Sequence, residues 1–143
     1  MQEQARKRIL DSFAAQSLMR SYEAQITDLG TGSCEITAPL LPTMLQQHGA
    51  GHAGVTFALG DSAAGYAALS LMPDGREVMT AEIKINLLAP ALGEKLIARG
   101  RVVKSGRTLS VVTSEVECVA PDGSRKLIAV MQGTMIAVDP RRA

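Results

Sequence analysis

From Gly54 to Leu71 the chain reads GVTFALGDSAAGYAALSL, without proline and with a single charge, Asp61. A helix that is apolar on every face has to be covered on nearly every side. The rest of the chain must therefore supply a wall around it, and its pattern is that of strands. Tyr22 to Asp28 and Ser33 to Ala38 alternate about Leu29-Gly30-Thr31-Gly32, whose glycines suit a tight hairpin. After Met72-Pro73-Asp74-Gly75 come runs of period-two character at Glu77 to Leu88, Glu94 to Val103, Arg107 to Val119 and Lys126 to Val138. They are broken at residues 89–93, 104–106 and 121–123. Residues 3–15 carry Ile9, Leu10 and Phe13 on one narrow stripe, the spacing of an amphipathic surface helix. The order helix, two strands, central helix, four strands predicts an α+β fold in which a curved antiparallel sheet wraps the central helix.

Length allows one domain with its own core and no second one of ordinary size, so residues 1–143 are expected to form a single unit with residues 1–15 as its surface helix. Tryptophan is absent while Ala and Gly abound, which predicts close packing through small side chains. Lys and Arg total 15 against 14 for Asp and Glu, so the charge balance gives no reason to expect nucleic acid or an anionic membrane as partner. Cys34 and Cys118 lie far apart in strand-like runs and suit buried apolar positions better than a disulfide or metal site. MQEQARKRIL lacks the apolar core of a signal peptide and no stretch is long enough to span a bilayer, so the expected location is the cytoplasm.

Two features point to chemistry. Gln46-Gln47-His48-Gly49-Ala50-Gly51-His52-Ala53-Gly54 runs straight into the central helix, and the first amides of a helix have no internal partner and can donate to an anionic oxygen. Alone, such glycines also fit a plain tight approach to a close-packed helix. Asp61 changes the balance, because an unpaired carboxylate within an apolar helix is costly to bury unless something uses or satisfies it. A nucleophile or general base aimed into a cleft is the functional reading; a carboxylate satisfied by Ser62, Thr56 or a nearby amide is the structural one. Gly54 and Asp61 share a helix face about 10 Å apart along the axis, too far to meet at one carbonyl carbon. Two antiparallel helices across a twofold axis would bring Gly54 of one copy to Asp61 of the other, with Gly60, Ala64, Gly65 and Ala68 permitting the approach. His48 and His52 have a helical metal-ligand spacing but Gly-Ala-Gly lies between them and no third ligand is positioned nearby, so no metal is expected.

Gln46 to Asp61, with His52-Ala53-Gly54 followed by Leu59-Gly60-Asp61-Ser62-Ala63, resembles the signature of the PaaI-like hotdog thioesterases, Asn-x-x-Gly-x-x-His-Gly-Gly followed by a helical Asp. The resemblance implies a hotdog fold and hydrolysis of an acyl-CoA or aryl-CoA thioester to free acid and CoA, without cofactor. By position it makes Asp61 the nucleophile or base, Gln46 the residue that positions the thioester or water, Gly54 the amide donor to the carbonyl and His52 a support of the loop. Thr80 matches a Ser or Thr that helps to place the attacking water. Lys104-Ser105-Gly106-Arg107 matches a turn that contacts CoA phosphate, with solvated hairpin charges as the alternative; Arg125 and Lys126 are weaker candidates. Gln46 stands where Asn is common, and Ala53 replaces the first Gly, which leaves open whether the amide of His52, Ala53 or Gly54 faces the oxyanion. A homo-oligomer with shared sites, a dimer or a tetramer of two dimers, is implied.

Two other functions fit the same elements: a hotdog hydratase or dehydratase acting through a His52–Asp61 dyad, and a non-catalytic acyl-CoA-binding module. Dehydratase branches place their His and acid in other local patterns. Asp61 on a glycine-approached helix, and the lack of an attached DNA-binding segment, weigh against binding or regulation alone.

Overall fold

In the computed structural model, residues 1–142 are described; Ala143, the last residue of the expected domain, lies outside them. The helices are α1 (Glu3–Ala15), α2 (Ser17–Ser21) and α3 (Ala53–Leu69), and the strands β1 (Gln25–Gly30), β2 (Ser33–Pro39), β3 (Glu77–Leu87), β4 (Lys95–Ser105), β5 (Leu109–Val119) and β6 (Arg125–Val138). The six strands form one sheet in the order β1-β2-β4-β5-β6-β3, every neighbouring pair antiparallel. The sequence pattern matches this layout except for α2. That short helix buries Met19 and moves the start of β1 from Tyr22 to Gln25. It is closed by Glu23 in the left-handed region (φ 52°), where a Gly or Asn would have advertised the stop.

α3 lies across the inner face of the sheet, chiefly on β4 with β2, β5 and β3 beside it. Leu59, Ala63, Ala64, Ala67, Ala68 and Leu69 are fully buried against inward residues that include Ile36, Ala98, Val112 and Val116. Each large aliphatic side chain taken out of water in this way contributes about 1.5–3 kcal/mol. The helix approaches so closely that a Cβ on Gly100 of β4 would collide with the backbone of Ala63 and Ala64. This corrects the expected role of the small residues. Gly60 faces Met131 and Val116 of the same chain, and Gly60, Ala64, Gly65 and Ala68 are all buried. The stripe of α3 left uncovered is instead Ala53, Gly54, Phe57, Ala58, Asp61 and Ser62, with Phe57 exposed at its middle.

β3 forms one edge of the sheet and, among the described residues, pairs only with β6. Its pairing slips between Thr80 and Glu82, leaving Ala81 as a bulge. The bulge switches the inward parity: Val78 and Thr80 face the helix before it, Ile83 and Ile85 after it. On the outer face Arg99 ties three strands together, its Nε donating to Glu35 at 2.8 Å and its Nη1 to Glu117 at 2.6 Å. α1 is a surface helix, as its pattern predicts, and it is firmly anchored. Ile9 and Phe13 are buried, and Phe13 meets the Tyr66 ring edge-on at 5.8 Å. The Arg8 guanidinium donates to the Leu69, Met72 and Pro73 carbonyls, satisfying the C-terminal end of α3.

Candidate active site

The glycine-rich loop before α3 has a separate cause for each of its features. Gln46 to Gly49 is a turn closed by Gly49 N–H to the Gln46 carbonyl at 3.0 Å and Gln46 N–H to the Ala50 carbonyl at 2.8 Å. Gly49 carries its positive φ of 82°. The Gln46 side-chain oxygen accepts from the His48 N–H and so braces the turn. Gly51 passes between Leu40 and Ala91, where a Cβ would lie 2.9 Å from each, and its N–H donates to the Ala91 carbonyl at 2.9 Å.

His52 is the N-cap of α3, and its Nδ1 accepts from the Gly54 N–H at 2.8 Å. That bond places the imidazole proton on Nε2 and fixes the ring. It also engages the amide expected to donate to the carbonyl. Val55 N–H is taken by the His52 carbonyl, so the amide left without an acceptor among the described residues is that of Ala53. Ala53 sits at the first helical position, exposed, at the positive end of the α3 dipole. Of the three amides the sequence left open, those of His52 and Gly54 are engaged within the chain, and that of Ala53 has no acceptor among the described residues.

Asp61 is half-buried on the uncovered stripe of α3, and Thr80 Oγ1 donates to its Oδ1 at 2.7 Å. Burial pushes the Asp61 carboxyl above the ordinary carboxylate range, and the Thr80 hydrogen bond pulls it part of the way back. Thr80 reaches Asp61 because the bulge at Ala81 lets it face the helix. Asp61 and Thr80 border a cavity of about 210 Å³ together with Ser12, Gln16, Tyr66 and Glu77. Gln46 and Ala53 border a different one, of about 420 Å³, with Thr56 and residues 87–91.

One chain thus brings together Thr80 and Asp61, His52 and Gly54, and Gln46 and Ala53, but not the start of α3 and Asp61 at its middle. Lys104, Gly106 and Arg107 lie on the exposed β4–β5 hairpin, closed by Gly106 N–H to the Leu109 carbonyl at 2.7 Å. Among the described residues Lys104 and Arg107 make no ion pair, so both cations are available to an anionic ligand. Cys34 and Cys118 are buried free thiols, and burial, followed by the nearby Asp28 and Glu35 charges, pushes Cys34 up to about 12. Ser12, Gln16, Tyr66 and Glu77 were not singled out by the sequence. The only signal was a tyrosine hydroxyl within the apolar helix, which needs a partner when buried.

Residues 48–122, more than half of the chain, match the sequence model described as Thioesterase superfamily. A solved thioesterase family protein from Silicibacter pomeroyi is 41% identical, covers 94% of this chain and 98% of its own, and superposes with a TM-score of 0.92. A thioesterase from Haemophilus influenzae shares the fold at a TM-score of 0.79, with 24% identity over 91% of this chain and 88% of that one. The PaaI protein of the Escherichia coli phenylacetic acid degradation operon does so at 0.82, with 22% identity over 94% and 93%. Agreement in sequence across the loop and α3, and in architecture across the whole sheet, has one reading: this chain belongs to the thioesterase superfamily and carries its hotdog fold.

Proposed function

We propose that this chain hydrolyses acyl-CoA thioesters to free acid and CoA, in a site that two copies of the chain build together. The observation that carries the reading is Asp61, a carboxylate raised by burial, oriented by Thr80 and set on the one stripe of α3 that its own sheet leaves uncovered. A base whose protonation lies nearer the working pH is better matched to taking a proton from water. Asp61 therefore acts on a water that attacks the thioester carbonyl, and the CoA thiolate leaves. The Ala53 N–H of a second copy, at the positive end of its helix, stabilises the oxyanion. Gln46 beside it orients the thioester or the water, and His52 holds the loop.

The free edge of β3 and the exposed Phe57 support the pairing: an edge strand with unpaired amides and carbonyls, flanked by Met79, Leu87 and Leu88 in the open, is a template for a second β3. Two such dimers make the tetramer that the resemblance implies. Arg107 and Lys104, with Gly106 in the same hairpin, take the CoA phosphates as loose surface charge. Free buried thiols suit a reducing compartment, and the cytoplasm is the proposed location.

Thiol release from short-chain, long-chain and aryl-CoA substrates tests the activity; no release from any of them, with tight CoA binding, would leave a binding module. The CoA assignment has its own test. Arg107→Ala should raise KM for an acyl-CoA more than it changes kcat and leave the matching pantetheine thioester almost untouched. Equal effects on both would make Arg107 structural.

A further inference from the structure

Thr56 stands one turn into α3, and nothing in the chain uses its hydroxyl. The residue is 2% exposed, and it borders the cavity of about 420 Å³ that it shares with Gln46 and Ala53. A hydroxyl inside a helix commonly returns its proton to a carbonyl one turn back. Ser21 and Ser70, at the ends of their helices, do so at 2.7 Å to the Leu18 and Ala67 carbonyls. Thr56 makes no such bond, and among the described residues it has no other partner. Asp61, which it could have satisfied, takes the Thr80 hydroxyl instead. A buried donor left unpaired is a standing cost to the fold unless a ligand or water meets it. Its neighbour in the cavity is the free Ala53 N–H. Helical side chains lean toward the N-terminus, so residue 56 covers the turn that begins at Ala53, three positions earlier on the same face. The two donors therefore border one cavity from one turn of helix, at the positive end of the α3 dipole. On the strand side the lining is Leu87, Leu88 and Ile128, whose side chains offer the hydroxyl no acceptor.

We propose that Thr56 is a further catalytic residue, its hydroxyl being the second donor to the oxyanion beside the Ala53 N–H. Water adds to the thioester carbon as its proton passes to Asp61 of the other copy. The carbonyl π pair moves onto oxygen, and that oxyanion accepts from both Thr56 and Ala53. When the pair returns, the C–S bond breaks and the CoA thiolate leaves; the Thr56 proton stays on its own oxygen throughout. A neutral donor bonds a full oxyanion more strongly than a ground-state carbonyl, so its effect falls on kcat and not on KM. This inference rests on the thioesterase reading and adds a residue to the half of the site built around Ala53.

Thr56→Val keeps the branched shape and removes the donor, whereas Thr56→Ser keeps the donor. On the acyl-CoA that the parent chain hydrolyses best, Thr56→Val should lower kcat by about 10²–10³-fold with KM nearly unchanged. Thr56→Ser should retain most of the parent rate. The Tm of Thr56→Val should equal or exceed the parent's, because a methyl replaces an unpaired buried hydroxyl; a structural hydroxyl would lose Tm and rate together. Complementation then assigns the donor to its half of the site. Paired with Asp61→Asn in a heterodimer, Thr56→Val should recover about half the native activity, since a twofold axis leaves one site intact. Paired with Ala53→Pro, which removes the other donor from the same half, it should recover nothing. Native kcat in Thr56→Val, a loss confined to KM, a Thr56→Ser no faster than Thr56→Val, or recovery with Ala53→Pro overturns the inference while the thioesterase reading stands. No thiol release by the parent chain from any acyl-CoA overturns both.

Discussion

Burial and Thr80 pull the Asp61 carboxyl in opposite directions, and each effect can be measured separately. Asp61→Asn keeps the shape and the Thr80 contact but loses the base, so thiol release should fall by about 10²–10⁴-fold; near-native turnover would remove Asp61 from the chemistry. The same variant reports on stability. Because the folded carboxyl titrates above its unfolded value, the native state binds the proton more tightly. The stability attached to it is full below the ordinary carboxylate range and is lost as pH rises through the raised folded value. Asp61→Asn should therefore have the higher Tm at neutral pH, with the gap closing as the buffer is acidified. Thr80→Val removes the one contact that lowers the Asp61 carboxyl, so the acid limb of the kcat/KM profile should move to higher pH. An unmoved limb would reduce Thr80 to packing. Asp61 was legible in sequence because a lone charge in an apolar helix is conspicuous. Ala53 was not, because which of three amides is free depends on where the His52 ring points.

α3 and β4 are fitted to each other by the absence of side chains. Gly100 has no room for a Cβ over the Ala63 and Ala64 backbone, so Gly100→Ala must lift the helix from the sheet. It should cost about 1–3 kcal/mol or more in chemical denaturation, and because α3 also carries Asp61, activity should fall at temperatures where the variant is still folded. A loss below about 0.5 kcal/mol would mean that the helix rides higher than described. The abundance of Ala and Gly announced close packing without saying against what. Periodicity shows that a residue is on a buried face, not which element covers that face, and so Gly60 and Ala64 were assigned to a second copy when they face their own sheet. The bulge at Ala81 shows the same limit. Val78 and Thr80 share one parity and Ile83 and Ile85 the other, a switch present in the sequence but interpretable only once β3 is paired with β6.

Across the whole molecule, the two halves of the proposed site sit in separate cavities, one at the start of α3 and one beside its middle. Ala53→Pro offers a clean probe of the far half: proline is tolerated at the first helical position and removes only an N–H that has no internal partner, and His52 already has the extended backbone (ψ 138°) that a following proline requires. Each of Ala53→Pro and Asp61→Asn should be nearly inactive alone. A heterodimer of the two should recover about half the native activity, since a twofold axis gives one site both intact groups and the other neither. An active monomer by light scattering, or confirmed heterodimers without recovery, would refute the shared site. The sequence alone determined the helix, the strands, their antiparallel wrap and the carboxylate, because hydrophobic period and a lone buried charge are local properties. Only the tertiary structure decided which amide is free, which face of α3 is uncovered and which hydroxyls from α1 and α3 meet beside Asp61. Those depend on side-chain direction and on contacts between residues far apart in the chain, which no local pattern encodes.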